Sequence, residues 1–205
     1  MTEKEGWSSG RRWKTISLNE IRDQVATCRR CPLHRERKNP VPGEGSENAR
    51  IFLIGEAPGA QEDATRIPFS GRAGRILDGC LSAAGLKRDE LFITNVVKCR
   101  PPKNRRPTKE EINSCKGYLD AQIDFVSPIV VVTLGRVPLS LFGKFERIET
   151  VPFEHDGLLV VPTYHPAAAL RGRPGLVNKI TSALRTAMIE SEKRAKQKRA
   201  WDDFR

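Results

Sequence analysis

Four cysteines in this chain have the grouping that a metal centre requires. Cys28 and Cys31 form a tight C-x-x-C pair, and Cys99 and Cys115 stand farther along the chain with fifteen residues between them. Thiolates grouped in fours hold either a zinc ion or an iron–sulfur cluster. Zinc ribbons usually repeat the tight pair, so the wide second pair favours a [4Fe–4S] cluster over zinc. A disulfide framework suits short secreted domains better than a 205-residue chain with five cysteines.

The fifth cysteine, Cys80, lies in a segment with helical periodicity. Apolar residues recur around it at the spacing of one buried helix face. These residues are Ile76, Leu77, Cys80, Leu81 and Ala84. A free cysteine in such a position behaves as a small hydrophobic side chain. We therefore assign Cys80 to the core and not to the metal centre.

Four short apolar runs, rich in β-branched or aromatic residues, alternate with helical segments. The runs cover residues 51–54, 91–97, 129–134 and 158–163. The helix with Cys80 separates the first two runs. A second helix opens at Thr108, which forms a capping-box pattern with Glu111 and separates the next two. This alternation predicts an α/β fold, a three-layer αβα sandwich around a central, mainly parallel four-stranded sheet.

The chain divides into one domain and two tails. Residues 1–17 mix charge, Gly, Ser and two Trp without periodicity, and they predict a flexible leader. Residues 18–190 carry the apolar patterns, from a short helix at 18–27 to a last helix at about 176–190. Residues 191–205 are strongly basic, which predicts a tail that is either a solvated helical extension or a mobile arm.

The charge of the chain restricts its partners. Lys and Arg number 36 and Asp and Glu number 25, for a formal net charge of +11. A polyanionic partner is the natural expectation, because neutralising phosphates releases counterions, and the alternative is a basic surface that serves only solubility. No run of about eighteen apolar residues occurs and the N-terminus lacks an apolar signal core. We therefore expect a cytoplasmic protein with no membrane contact, and we separately expect a monomer.

Unusual residues follow each predicted strand. The first strand leads into GEAPGAQED at 55–63, and the second contains Thr-Asn at 94–95. The third ends in Gly-Arg at 135–136, and the fourth leads into HPAAALR at 165–171. Because the carboxyl ends of parallel strands form the ligand crevice of an open α/β sheet, these segments should converge on one site.

These motifs, interleaved with the cysteines, resemble those of the family 4 uracil-DNA glycosylases, the iron–sulfur members of the uracil-DNA glycosylase superfamily. The resemblance runs from about residue 28 to residue 184. It implies a DNA repair hydrolase of base excision repair, which flips deoxyuridine out of DNA, cleaves its N-glycosidic bond and leaves an abasic site. It also implies a [4Fe–4S] cluster on four ligands. They are Cys28, Cys31, Cys99 and Cys115.

The same resemblance gives roles to the pocket residues. Asn95 matches the amide that distinguishes uracil from cytosine, because its donor and acceptor fit the edge of uracil. Phe69 matches the aromatic residue that stacks beneath the flipped base. His165 is expected to donate a hydrogen bond to O2 of uracil, where negative charge develops. The remaining uracil-binding residues are Gly55, Glu56 and Ala57.

The identity of the catalytic carboxylate stays open. Ala57 stands where better-known relatives carry a water-activating aspartate. We expect Glu62 to orient the water instead, and Glu56 to line the pocket and favour the sugar cation by its charge. The alternative is that Glu62 and Asp63 only stabilise the start of a helix through its dipole.

Two segments are expected to contact DNA. The loop after His165 resembles the one that enters the minor groove, with Leu170 as the wedge and Arg171 beside it. The proline-rich segment 98–109 carries six basic residues, Lys98 among them, and no acid, which suits a basic rim for phosphates. The rim residues assigned to DNA are Arg100, Lys103, Arg105 and Arg106.

Two other functions remain open on sequence grounds. A related class of uracil binders traps uracil-DNA covalently through a histidine in the loop that corresponds to segment 98–109. Such a protein would bind without turnover. Segment 98–109 contains no histidine, which favours turnover. A zinc-stabilised nucleotide-binding module would use residues 55–59 as a phosphate loop, but that run lacks the Walker lysine and a G-x-G-x-x-G pattern.

Overall fold

The computed structural model describes residues 16–170, 172–173 and 175–202, and a single six-stranded sheet forms its centre. The strand order is β1-β3-β2-β4-β6-β5, in which β3, β2, β4 and β6 run parallel and the two edge strands are antiparallel. The strands are β1 Glu44–Gly45, β2 Ile51–Gly55, β3 Phe92–Asn95, β4 Val130–Leu134, β5 Phe153–His155 and β6 Leu158–Thr163.

The predicted α/β class is confirmed, and the four parallel strands coincide with the four apolar runs. The sheet has six strands rather than four. The two additional strands, β1 and β5, span two and three residues, which is too short for a hydrophobic pattern to mark them. Every residue of β2 and β4 is buried, as expected for strands covered on both faces.

Helices cover both faces of the sheet and complete the predicted three layers. They are α1 Leu18–Thr27, α2 Ala60–Thr65, α3 Arg72–Ala84, α4 Lys109–Val126, α5 Arg136–Leu139, α6 Pro166–Ala169 and α7 Gly175–Asp202. Alternate residues of β2 face opposite layers: Phe52 packs in the core with α1 and α4, and Leu53 packs in the core with α3 and α7. Cys80 lies in the second core at 1% exposure, as predicted.

A capping-box signal located the start of α4 correctly, and the apolar periodicity located the start of α1. The Thr108 hydroxyl accepts a hydrogen bond from the Glu111 amide at 3.2 Å, and the Glu111 carboxylate accepts one from the Thr108 amide at 2.8 Å. This is the reciprocal capping box predicted for α4. Ser17 and Glu20 form a second capping box at the start of α1.

The last helix is longer than its apolar pattern predicted. It continues past residue 190 to Asp202, so the basic segment is a helical extension in its described part. Ser191 and Ala195 on this extension are buried, and Arg194 pairs with Glu154 of β5. The division into leader, domain and tail stays a prediction, and residues 1–15 and 203–205 lie outside the described residues.

No helix within the described ranges combines the length and the apolar character needed to cross a lipid bilayer.

Candidate active site at the carboxyl ends of the strands

Gly55 and Asn95 end the neighbouring strands β2 and β3 and are paired in register. A methyl group placed on Gly55 would lie 2.3 Å from Asn95 Oδ1 and 2.5 Å from Phe69 Cζ. Both distances are far below van der Waals contact, so only glycine permits the amide and the ring to approach here. The structure thus brings Gly55, Phe69 and Asn95 together at one strand edge, where the sequence motifs predicted a crevice.

The loop before α3 holds Phe69 in a fixed conformation. Phe69 is 5% exposed and has a φ of 53°, which is uncommon for a residue with a side chain. The Arg88 guanidinium donates a hydrogen bond to the Pro68 carbonyl and pairs with Glu44 and Asp78. Arg88 therefore ties the Phe69 loop to β1 and α3, a role that no sequence pattern indicated.

The ring of His165 lies next to the ring of Phe69. Their ring centroids are 5.6 Å apart, with an angle of 31° between the ring planes. The Ala167 amide donates a hydrogen bond to His165 Nδ1 at 3.1 Å, at the start of α6. In the neutral imidazole the hydrogen is then carried by Nε2, which makes that atom a donor. Gly135 at the end of β4 packs beside it, since a methyl group there would lie 3.3 Å from His165 Cβ.

The side chain of Asn95 is buried at 2% exposure. Its Oδ1 atom has no hydrogen-bond partner among the described residues. An unsatisfied buried amide oxygen costs free energy, typically about 1–3 kcal/mol. A ligand that donates a hydrogen bond to Oδ1 would remove this cost, so the site is set up to accept a donor.

Segment 55–63 contains three acidic residues, and two of them, Glu62 and Asp63, make specific contacts. Glu62 Oε1 accepts a hydrogen bond from the Gly71 amide at 3.2 Å, and Oε2 would contact a methyl group on Gly59 at 2.7 Å. Asp63 is 2% exposed and accepts the amides of residues 38 and 39 at 2.9 and 3.2 Å. These acids therefore do more than complement a helix dipole, because they connect α2 to neighbouring loops.

Glu56 is half-buried at the same edge, followed by the half-buried Ala57. Burial raises the pKa of Glu56 above its ordinary value, and the positive charge of Arg106 opposes that shift. Burial at this edge therefore favours the neutral form of the Glu56 carboxyl group.

Lys98 is not part of the basic rim, contrary to the sequence-based expectation. Its side chain is 1% exposed, and Nζ donates three hydrogen bonds of 2.7–2.8 Å. Burial lowers the pKa of Lys98 to about 8. The acceptors are Thr94 Oγ1, the Asn95 carbonyl and Gln122 Oε1. Lys98 thus fixes the end of β3 next to Asn95, and a count of charges along the chain could not reveal this.

The four spaced cysteines are grouped in space and separate from Cys80. All five cysteines are free thiols. Cys99 and Cys115 are buried, and the thiols of the group interact electrostatically with one another. No three His, Cys, Asp or Glu side chains within the described ranges are arranged as a site for a metal ion.

The surroundings of these thiols fit ligands of an iron–sulfur cluster. Arg37 donates a hydrogen bond to Cys99 Sγ at 2.9 Å, and the Lys98 amide donates one to Cys115 Sγ at 3.3 Å. Hydrogen bonds to the sulfurs are a normal feature of such sites. Burial raises the pKa of Cys115 to about 11, so a bound metal must displace its proton.

The residues predicted to contact DNA differ in their exposure and in whether their charges are already paired within the protein. Leu170 follows α6 and is 39% exposed, as a wedge requires, and Arg171 lies outside the described residues. Lys103 and Arg106 are exposed. Arg100 is half-buried and bonds to Asn104, and Arg105 forms a two-pronged pair with Glu111 at 2.7 and 2.8 Å. The charge of Arg105 is therefore largely balanced within the protein.

The chain is similar to proteins of one superfamily. Residues 42–205 match the family model described as the Uracil DNA glycosylase superfamily. The chain is 46% identical over 167 residues to the Type-4 uracil-DNA glycosylase of Sulfurisphaera tokodaii, covering 75% of this chain and 76% of that protein. It is 40% identical over 182 residues to the Type-4 uracil-DNA glycosylase of Thermotoga maritima, covering 86% and 91%.

The chain is less similar to a type-5 protein than to the type-4 proteins. The chain is 37% identical over 140 residues to the Type-5 uracil-DNA glycosylase of Thermus thermophilus, covering 60% of this chain and 64% of that protein. Both the identity and the coverage are lower than for the two type-4 proteins. The match across residues 42–205 and the extent of the type-4 similarity show that the chain belongs to the uracil-DNA glycosylase superfamily and, within it, to the type-4 family.

Proposed function

We propose that this protein is a DNA repair hydrolase that removes uracil from DNA by cleaving its N-glycosidic bond, leaving an abasic site. The observation that supports the proposal is the close grouping of Phe69 and Asn95 at Gly55, with the ring of His165 5.6 Å from the ring of Phe69. A base inside a duplex hides its glycosidic bond, so the deoxyuridine leaves the stack and enters this pocket.

Asn95 reads the extruded base. Its unpartnered Oδ1 accepts the N3–H of uracil, and its amide group donates to O4. Cytosine has an acceptor at N3 and a donor amino group at C4. The acceptor would face Asn95 Oδ1 and the donor would face the NH2 group of Asn95, so neither hydrogen bond could form. Phe69 stacks on the face of the base, and the close approach at Gly55 holds amide and ring in place.

His165 and the acids handle the charge that develops during bond cleavage. The Nε2–H of His165 donates toward O2 of the departing uracil, while Nδ1 stays fixed by the Ala167 amide. Ionised Glu56 favours the positive charge on the sugar, and Glu62 orients the attacking water. One oxygen of Glu62 is held by Gly71, which orients the carboxylate for this role.

We propose a [4Fe–4S] cluster on Cys28, Cys31, Cys99 and Cys115. When bound, the cluster supplies metal–thiolate bonds that join distant segments, and hydrolysis of a glycosidic bond needs no redox change from it. Arg37 and the Lys98 amide donate to the ligand sulfurs. Iron and sulfide content, with visible absorbance, separates this centre from colourless zinc.

DNA is proposed to bind over this edge of the sheet. The net charge of +11 supports association with phosphates. Leu170 wedges the stack open, at a cost on the order of a few kcal/mol for the DNA. Phosphate contacts come from Arg171 and the basic rim, in which Arg105 contributes less charge because Glu111 pairs with it. The rim residues are Arg100, Lys103, Arg105 and Arg106.

The proposal is tested by uracil release from an oligonucleotide with one deoxyuridine, followed by alkaline scission of the abasic site. We expect release over many turnovers. Asn95→Ala and His165→Ala should each slow single-turnover release by about tenfold or more, because each removes a contact to the reacting base. The exposed Asn48→Ala is the control and should match the wild-type rate.

The same assay decides between hydrolysis and binding without turnover. One equivalent of uracil followed by a complex that survives denaturation would favour the trapping protein instead. Wild-type rates in both pocket variants would exclude the proposed roles of Asn95 and His165.

A further inference from the structure

A cleft of about 210 Å³ lies beside the candidate active site, and three arginines line it. Arg106 belongs to the basic rim, Arg136 starts α5 after the end of β4, and Arg147 lies in the loop before β5. Ser140 and Phe145 complete the polar and apolar parts of its wall. We call it the arginine cleft.

The arginine cleft and the uracil pocket are neighbours. Arg136 directly follows Gly135, which packs so closely beside His165 that a methyl group on Gly135 would lie 3.3 Å from His165 Cβ. Arg106 is close enough to Glu56 for its charge to act on that carboxyl group. Two of the three arginines are therefore linked to residues of the candidate site, Arg136 through the chain and Arg106 through its charge.

The charges of the arginine cleft are mostly unbalanced. Arg136 donates to the Glu146 carbonyl at 2.7 Å, a bond to the main chain that neutralises no charge. Arg147 pairs with Glu149 at 2.7 Å, but their side chains are 83% and 57% exposed, so water screens the pair strongly. In the part of the chain that the structure describes, Glu149 is the one carboxylate in ion-pair contact with any of the three.

Three guanidinium groups that line one cleft, with Glu149 as the one carboxylate in ion-pair contact and Glu56 interacting with Arg106 without an ion-pair contact, fit a phosphate. Guanidinium presents a planar fork of donors that matches phosphate oxygens, and a bound phosphate would supply the missing negative charge. Flipping a nucleotide also requires the backbone beside it to be held, because the distorted strand otherwise relaxes. We propose that the arginine cleft binds a DNA backbone phosphate adjacent to the extruded deoxyuridine. This inference rests on the proposed function and adds Arg136 and Arg147 to the DNA-binding surface.

The test replaces single phosphates by uncharged methylphosphonates on either side of a 2′-fluorinated deoxyuridine, which resists cleavage. We expect one position near the uracil to weaken wild-type binding by about tenfold, the effect of one lost charge-assisted contact. In Arg136→Gln and Arg147→Gln the same methylphosphonate should have little further effect, because the partner is already gone. The slope of log Kd against log salt should also fall by about 1 per lost contact.

Lys144→Gln is the matched control. Lys144 lies in the same loop and its substitution removes the same charge, but it does not line the arginine cleft. The variant should keep the wild-type response at every methylphosphonate position. Equal, additive effects of all three variants at every position would overturn the proposal, since they would reflect general charge alone.

Uracil release from the unmodified oligonucleotide is measured in parallel, so the two proposals fail separately. If uracil is released but the arginine substitutions do not couple to a methylphosphonate at one position, the phosphate site is wrong and the glycosylase function stands. Coupling without release would retain the phosphate site and remove the hydrolytic function.

Discussion

Gly55 is the residue on which the pocket most directly depends. A methyl group there would overlap Asn95 Oδ1 at 2.3 Å and Phe69 Cζ at 2.5 Å. Gly55→Ala should therefore displace the reading amide and the stacking ring together. We expect single-turnover uracil release to fall by about a hundredfold, as small displacements of positioned groups do.

Gly79→Ala is the control for this substitution. Gly79 lies on α3, and a methyl group on it meets nothing within 4 Å. The variant should keep its activity and gain about 0.5–1 kcal/mol in free energy of unfolding, because alanine favours a helix. Wild-type release by Gly55→Ala would show that the pocket does not need this close approach.

Glu56 carries a pH dependence that can be predicted in sign. Burial raises its pKa, so the folded state favours the neutral carboxyl group. The stability associated with the protonated form is present below the ordinary pKa of 4.5 and is lost as pH rises through the raised value.

The Glu56→Gln variant does not lose this stability as pH rises, because its side chain stays neutral. Its free energy of unfolding, measured with urea, should exceed that of the wild type at pH 8, and the difference should shrink toward pH 4. Its uracil release should fall, since the charge that favours the sugar cation is gone. A stability difference that grows as pH falls would contradict the assigned shift.

At the scale of elements, Lys98 connects β3, α4 and the segment before β1. Its ammonium group bonds to the Asn95 carbonyl and to Gln122, and Gln122 bonds to the Pro42 carbonyl at 2.7 Å. Lys98→Met would leave several buried acceptors without a donor. We expect it to lower the free energy of unfolding by about 2 kcal/mol or more.

Urea unfolding of Lys98→Met is compared with that of Lys109→Met. Lys109 is exposed at the start of α4, so its substitution should change stability by about 0.5 kcal/mol at most. Equal effects of the two substitutions would mean that the ammonium network contributes nothing specific to the end of β3.

At the scale of the whole molecule, the cysteine group joins the end of α1, the loop after β3 and helix α4. Loss of one ligand should release folding free energy throughout these segments. We expect Cys115→Ser to lose iron and to unfold at a temperature several degrees lower. Thermal unfolding and iron content are measured on the same preparation.

Cys80→Ser tests whether this effect is specific to the group. Cys80 is equally buried but belongs to the core between α3 and α7, where its sulfur contacts the Val177 carbonyl at 3.8 Å. It should retain iron at the wild-type level. Equal iron in both serine variants would remove Cys115 from the proposed ligand set.

Much of this architecture could be predicted from local patterns. Helix α1 and strand β6 have the predicted bounds, and the capping box of Thr108 forms as expected. The motif residues Gly55 and Asn95 were placed at strand ends, where they lie side by side, and His165 follows the end of β6 next to Phe69. Such features depend on periodicity and on groups a few residues apart, which the order of residues specifies directly.

The sequence by itself thus determined the α/β class, the grouping of four cysteines and the motifs at the strand ends. Tertiary structure decided which charges are available: it buried Lys98, paired Arg105 with Glu111 and brought Arg106, Arg136 and Arg147 around one cleft. It also added the two edge strands. The physical reason is that burial and pairing depend on contacts between residues far apart in the chain, and no local pattern encodes those contacts.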